Sequence, residues 1–147
     1  VGRSKSRHAI SGGGLKQIAA LTLLLCLAAC GFVYDETLVG RYRLVAVDDD
    51  GQMMLCWSLD SDSCEGIVEE TVFAAGFDDR YVVVARHPNE SKKSIVEYYY
   101  LVRTPRSEDK EIGARDIKVR GPFDQMQFEI EKRRLHLPEF TRKFDDL

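Results

Sequence analysis

Beyond residue 37 most of the chain alternates apolar and polar positions with a period of two, the signature of strands with one face buried. In "LVGRYRLVAV" (38–47), Leu38, Tyr42, Leu44 and Ala46 fall on one side of an extended chain. "DDDG" (48–51) breaks the pattern with a turn, and "QMMLCWSL" (52–59) resumes it, so the two segments form a hairpin. "GIVEETVFAAGF" (66–77) is the next extended segment, and "DDR" turns the chain into "YVVVARH" (81–87). That run is almost continuously apolar, as expected of a central strand covered on both faces, and Pro88 ends it. In "SIVEYYYLVRT" (94–104), Val96, Tyr98, Tyr100 and Val102 share one face, and Ile95, Tyr99 and Leu101 the other.

Residues 105–116 are charged and carry no periodic apolar face, which predicts a surface loop, and "IKVR" (117–120) is a short sixth strand. The stretch "GPFDQMQFEIEKRRLHLPEF" (121–140) carries two conflicting patterns. Met126, Phe128 and Ile130 alternate with polar residues, as in a strand. Asp124 and Gln127 have the spacing of a capping box, and Phe123 and Phe128 that of a hydrophobic staple. Gln, Met, Glu, Lys, Arg and Leu are strong helix formers; Met126 and Ile130 are four apart, Phe128 and Leu135 seven. A helix over Gln125–His136, stopped by Pro138, is the expectation. The predicted fold class is α+β: an antiparallel meander sheet of five to six strands with one C-terminal helix covering a face.

The N-terminal segment follows different rules. Arg3, Lys5, Arg7 and Lys16 precede an uncharged run from Ile18 to Ala29, rich in Leu and Ala. A basic segment followed by a short apolar one is the layout of a secretory leader. The run falls short of the roughly 20 residues that a membrane-spanning helix needs. Its end, Leu27-Ala28-Ala29-Cys30, resembles the lipobox of bacterial lipoproteins: a branched apolar residue, two small ones, then cysteine. The resemblance covers residues 1–31 only. It implies that the Cys30 thiol receives a diacylglyceryl group, that the peptide is cut before Cys30, and that the new amino terminus is acylated, palmitate being one such chain. Two or three acyl chains anchor stably, each buried CH2 contributing about 0.8 kcal/mol. In Gram-negative lipoproteins an Asp after the modified cysteine favours inner-membrane retention. Gly31 holds that position here, so the resemblance implies an outer-membrane protein facing the periplasm if the host has two membranes. The expected organisation is a leader over 1–29, a tether over 30–37 and one domain over 38–147.

Cleavage changes the charge. Removing the leader's four basic residues leaves 17 Lys and Arg against 24 Asp and Glu, a net charge of −7. Such a domain has no electrostatic footprint for nucleic acid, and its acyl chains rather than its surface would hold the membrane. Of the four cysteines, Cys26 leaves with the leader and Cys30 carries lipid, so Cys56 and Cys64 remain as a pair in an oxidising compartment. They flank the turn-forming "WSLDSDS", and a disulfide closing that hairpin would contribute about 2–3 kcal/mol through loop entropy.

Candidate chemistry is sparse. His87 and His136 are the histidines left after cleavage; one ends a strand, and the other sits at a helix end where a cation suits the dipole. There is no G-x-S-x-G turn for a nucleophile. A calcium loop registered on Gly51 would place its first and last ligands on Ala46 and Trp57, which fails. Asp60, Asp62 and Glu65 read as solvated loop charges, and Glu69 and Glu70 as neighbours on opposite faces of one strand. No catalytic residue, metal site or cofactor is expected. Tyr98, Tyr99 and Tyr100 make the sheet aromatic-rich; Tyr98 and Tyr100 should pack under the helix, while Tyr99, pointing the other way, is the candidate for an exposed partner surface. The expected function is that of a lipid-anchored, non-catalytic accessory subunit of an envelope assembly. The alternative is an inhibitor of a cationic cell-wall hydrolase, whose association the domain's acidity would speed.

Overall fold

The computed structural model describes residues 32–60, 63–89, 91, 93–103 and 113–147. Among them, nine strands form two antiparallel sheets, accompanied by one α-helix. The first sheet runs β1 (Tyr34–Val39), β2 (Tyr42–Ala46), β3 (Met54–Ser58) and β4 (Cys64–Val68), in that spatial order. The second contains β5 (Val72–Phe77), β6 (Tyr81–Arg86), β7 (Glu97–Val102), β8 (Val119–Phe123) and β9 (Arg142–Lys143), ordered β8-β7-β6-β5-β9. The helix, α1, spans Gln125–Leu135. The α+β class and the C-terminal helix hold. The strands, however, are two successive meanders rather than one sheet of five or six.

Both extra breaks have local causes. The apolar pattern of 38–47 conceals a hairpin: Gly40 adopts φ +56°, a conformation that costs glycine little, and Val39 then pairs with Tyr42. Leu38, Tyr42, Leu44 and Ala46 nevertheless all enter the core, as their spacing predicts. Residues 34–37 belong to β1 and pair with β2, so the folded unit takes in half of the expected tether. The segment 66–77 is likewise two strands. Glu69 and Glu70 lie in the link between β4 and β5, where the chain leaves one sheet for the other, and not on opposite faces of one strand. The link is fastened by the Thr71 hydroxyl, which donates to the Gly51 carbonyl at 2.6 Å, and by the Val72 amide, which donates to the Met53 carbonyl at 2.8 Å. Apolar residues resume directly on both sides of the corner, Val68 before it and Val72 after it, because both strands feed the same core.

That core lies between the sheets. Tyr42, Leu44, Leu55 and Trp57 reach in from the first sheet and meet Val72, Val82, Val84 and Leu101 of the second. Tyr42 and Trp57 pack edge to face with centroids 5.0 Å apart, a favoured aromatic geometry. A second, smaller apolar layer lies on the outer face of the second sheet, where Val83 and Tyr100 meet Phe128 of α1 and Leu137. β6 is therefore covered on both faces and sits mid-sheet, as its composition predicts.

α1 begins as its capping residues dictate. The Asp124 carboxylate accepts from the Gln127 amide at 2.8 Å, and the Gln127 side chain accepts from the Asp124 amide at 3.0 Å. Lys132, Arg133 and Arg134 occupy the last turn, where cations suit the helix dipole. His136 ends the helix in the left-handed region, at φ 55° and ψ 50°.

Candidate functional site

The sequence-predicted residues separate in the structure. Cys30 lies outside the described residues. Cys56 of β3 and Cys64 of β4 form a disulfide with Cα atoms 5.7 Å apart, stapling adjacent strands of the first sheet. Among the acids, Asp49 accepts from the Gly51 amide at 2.7 Å and caps a short 3-10 turn, Asp60 accepts from the Ser63 amide at 2.8 Å, and Glu65 lies 3.5 Å from Arg115. Asp62 falls outside the described residues. No three acidic, His or Cys side chains among the described residues converge as a metal site.

Tyr99 requires a correction. It points away from Tyr98 and Tyr100, as the alternation predicts, but its face is covered by the first sheet, leaving it 8% exposed within the main core. Its hydroxyl donates to Glu97 Oε2 at 2.7 Å, and the Arg86 guanidinium lies 5.6 Å from its ring centroid. Arg86 Nε donates to the same Glu97 oxygen at 2.9 Å. Burial, followed by the Glu97 hydrogen bond, pushes the Tyr99 pKa up. Tyr99 is a packing residue with a satisfied hydroxyl, not part of an exposed partner surface.

The accessible apolar surface is found instead on α1. Phe128 is its one fully buried side chain, stacked on Tyr98 at 4.8 Å. Met126 is 72% exposed and Ile130 51%. At 3.6 residues per turn the two lie about 40° apart around the helix, while Phe128 lies roughly 200° from Met126. The helix thus carries two apolar stripes, and the sheet takes the one containing Phe128. Beside Ile130, a shallow depression of about 340 Å³ is lined by Pro122, Phe123, Gln127 and Glu131.

Several helix charges are paired within the protein, while Arg133, on the same side as the stripe, donates only to the Glu129 carbonyl. Glu131 accepts from Arg134 at 2.5 Å and from the Tyr100 hydroxyl at 3.2 Å. The Arg134 contact, then that of Tyr100, holds the Glu131 carboxyl below the usual carboxylate range. Lys132 and Glu139 pair at 2.8 Å. The resulting surface is an exposed apolar pair one helical turn apart, with polar and charged side chains on either side. The i, i+4 spacing of Met126 and Ile130 is visible in the sequence; which stripe the sheet would take is not.

Among the described residues no helix is long and apolar enough to cross a membrane. No curated protein and no solved structure matches the chain. A family profile does match residues 39–143, from the end of β1 to the last residue of β9, and the chain belongs to that family, described as a protein of unknown function (DUF3997).

Proposed function

We propose that the protein is a lipid-anchored component of the cell envelope, held by acyl chains on Cys30, and that it acts as a non-catalytic accessory subunit. It docks a partner protein through the outer stripe of α1. In a host with two membranes it sits on the outer membrane and faces the periplasm. The lipobox-like Leu27-Ala28-Ala29-Cys30 supports the anchor. The exposure of Met126 and Ile130, one turn apart on a well-capped helix, carries the docking reading. Two apolar anchors at i and i+4 are what a helix offers to a hydrophobic groove. The occupant is therefore an envelope protein with an apolar cleft.

The test is crosslinked co-purification of the acylated protein from its native envelope, with mass spectrometry of what is recovered. One near-stoichiometric envelope protein is expected, lost in a Met126→Ser/Ile130→Ser variant whose unfolding midpoint is unchanged. Recovery of the chain alone from the wild type, or retention of the partner by the double variant, overturns the docking reading. Labelled palmitate that persists on Cys30→Ser overturns the anchor.

A further inference from the structure

We infer that one end of the first sheet, the end that carries Val33 and Val47, rests on a lipid surface of neutral headgroups and thereby fixes which way the domain faces. The inference rests on the acyl anchor at Cys30 proposed above and involves no residue of the α1 stripe.

The length of chain between anchor and fold carries it. Val33 already belongs to the fold: its amide donates to the Ala46 carbonyl at 2.9 Å, and β1 begins at the next residue. Just before it, the Phe32 ring centroid lies 5.8 Å from the guanidinium carbon of Arg43. Gly31 and Phe32 are all that separate Cys30 from Val33. Three residue steps span at most about 11 Å. A diacylglyceryl thioether on Cys30 holds that residue at the membrane surface, where the headgroup layer is itself about 5–7 Å deep. Val33 then sits within or directly above the headgroups, and too little chain remains for the domain to turn over freely.

What meets the lipid follows from the strand directions. β1 starts, β2 ends and β3 starts at this end of the sheet, and residues 47–53 connect the last two. Val33 is 56% exposed, and Val47, which follows the Ala46 acceptor, is 40% exposed. The two valines flank one backbone hydrogen bond beside the point of attachment, and burial of apolar area at the headgroup boundary favours contact there. Asp48, Asp49 and Asp50 come next and are exposed, while residues 44–79 contain no Lys, Arg or His. The segment thus supplies three carboxylates and no cation, which anionic headgroups repel. The surface that fits is zwitterionic phospholipid. β1 is six residues long, about 20 Å at the usual rise per residue. The turn at Gly40 and Arg41 therefore stands clear of the lipid, together with Ser58, whose amide donates to the Arg41 carbonyl at 2.8 Å.

The test reconstitutes isotope-labelled, acylated protein from its native envelope into phosphatidylcholine nanodiscs that carry a nitroxide on a fraction of the headgroups. The readout is the paramagnetic broadening of each backbone amide. Broadening is expected to be strongest at Val33, Val47 and Asp48 and to fade toward Gly40, Arg41 and Ser58. Val33→Asp/Val47→Asp should cut the broadening at that end several-fold while the protein stays on the disc; both side chains are exposed, so the fold is kept. Replacing a third of the phospholipid by phosphatidylglycerol should weaken the contact. Even broadening over the domain, a maximum elsewhere, an unchanged pattern in the double variant, or stronger broadening on the anionic discs overturns the inference. The anchor is read separately by mass spectrometry of Cys30. Protein without an acyl chain overturns the anchor and this inference with it, whereas acylated protein that is broadened evenly overturns the orientation alone.

Discussion

Tyr99 owes its role to what lies opposite it. Alternation along β7 places it on the face away from Tyr98 and Tyr100, and the structure agrees. Whether that face meets water or another sheet is not encoded in the alternation, because period-two patterning specifies sides and not what covers them. With the first sheet in place, the ring is core and the hydroxyl is one arm of a triangle with Glu97 and Arg86. Tyr99→Ala is therefore expected to destabilise the fold by about 3–5 kcal/mol, as for large aromatic truncations in cores. Tyr99→Phe, which removes only the hydroxyl, should cost about 1 kcal/mol. Urea unfolding monitored by circular dichroism measures both. A Tyr99→Ala protein as stable as the wild type would place this ring at a surface after all. The Cys56–Cys64 bond was the more legible feature, because a short polar segment between two strand patterns leaves two cysteines few other partners.

α1 separates stability from surface function within one helix. The capping pair Asp124 and Gln127 starts it, and Phe128 attaches it to the sheet. Asp124→Ala should cost about 1 kcal/mol, the usual value of an N-cap, read as a lower urea midpoint at unchanged slope. Polar substitution of Met126 and Ile130 should stay within about 0.5 kcal/mol, since neither is buried. A large loss from the latter would mean that the outer stripe is packed. The helix was legible in the sequence because cap, propensity and spacing agree there, even though the strand-like alternation of Met126, Phe128 and Ile130 competes. The strand breaks at Gly40 and at Glu69–Glu70 were harder to see. Each lies between two strand patterns that can be read as one, because a turn that returns the chain to the same core leaves apolar residues on both of its sides.

The two sheets are joined along one margin by a cluster from distant parts of the chain. The Tyr34 hydroxyl donates to Glu36 Oε2 at 2.5 Å, Arg142 Nε meets Glu36 Oε1 at 2.6 Å, and the Tyr34 and Phe144 rings pack edge to face at 5.3 Å. β1 of the first sheet is thereby tied to β9 of the second. Burial, with the Glu36 contact adding, pushes the Tyr34 pKa from 10.0 to about 12. The Tyr34 hydrogen bond, then that of Arg142, holds the Glu36 carboxyl below its ordinary value of 4.5. The signs are opposite. Tyr34, raised on folding, contributes stability that is complete below pH 10.0 and is lost as pH climbs to about 12. Glu36, lowered on folding, contributes stability that is present above pH 4.5 and is lost as pH falls through its depressed value. Tyr34→Phe should therefore flatten both limbs of a plot of urea midpoint against pH, and Glu36→Gln the acid limb above all. Unchanged limbs in Tyr34→Phe would show that the cluster does not couple the sheets. Local patterning along the chain decides which segments extend, which one coils and which side each strand residue takes, because these depend on neighbours a few residues apart. The number of sheets, the burial of Tyr99 and the outward turn of Met126 and Ile130 depend on packing between segments separated by tens of residues. Pairing of that kind follows from the free energy of the whole assembled core, and no short window of sequence contains it.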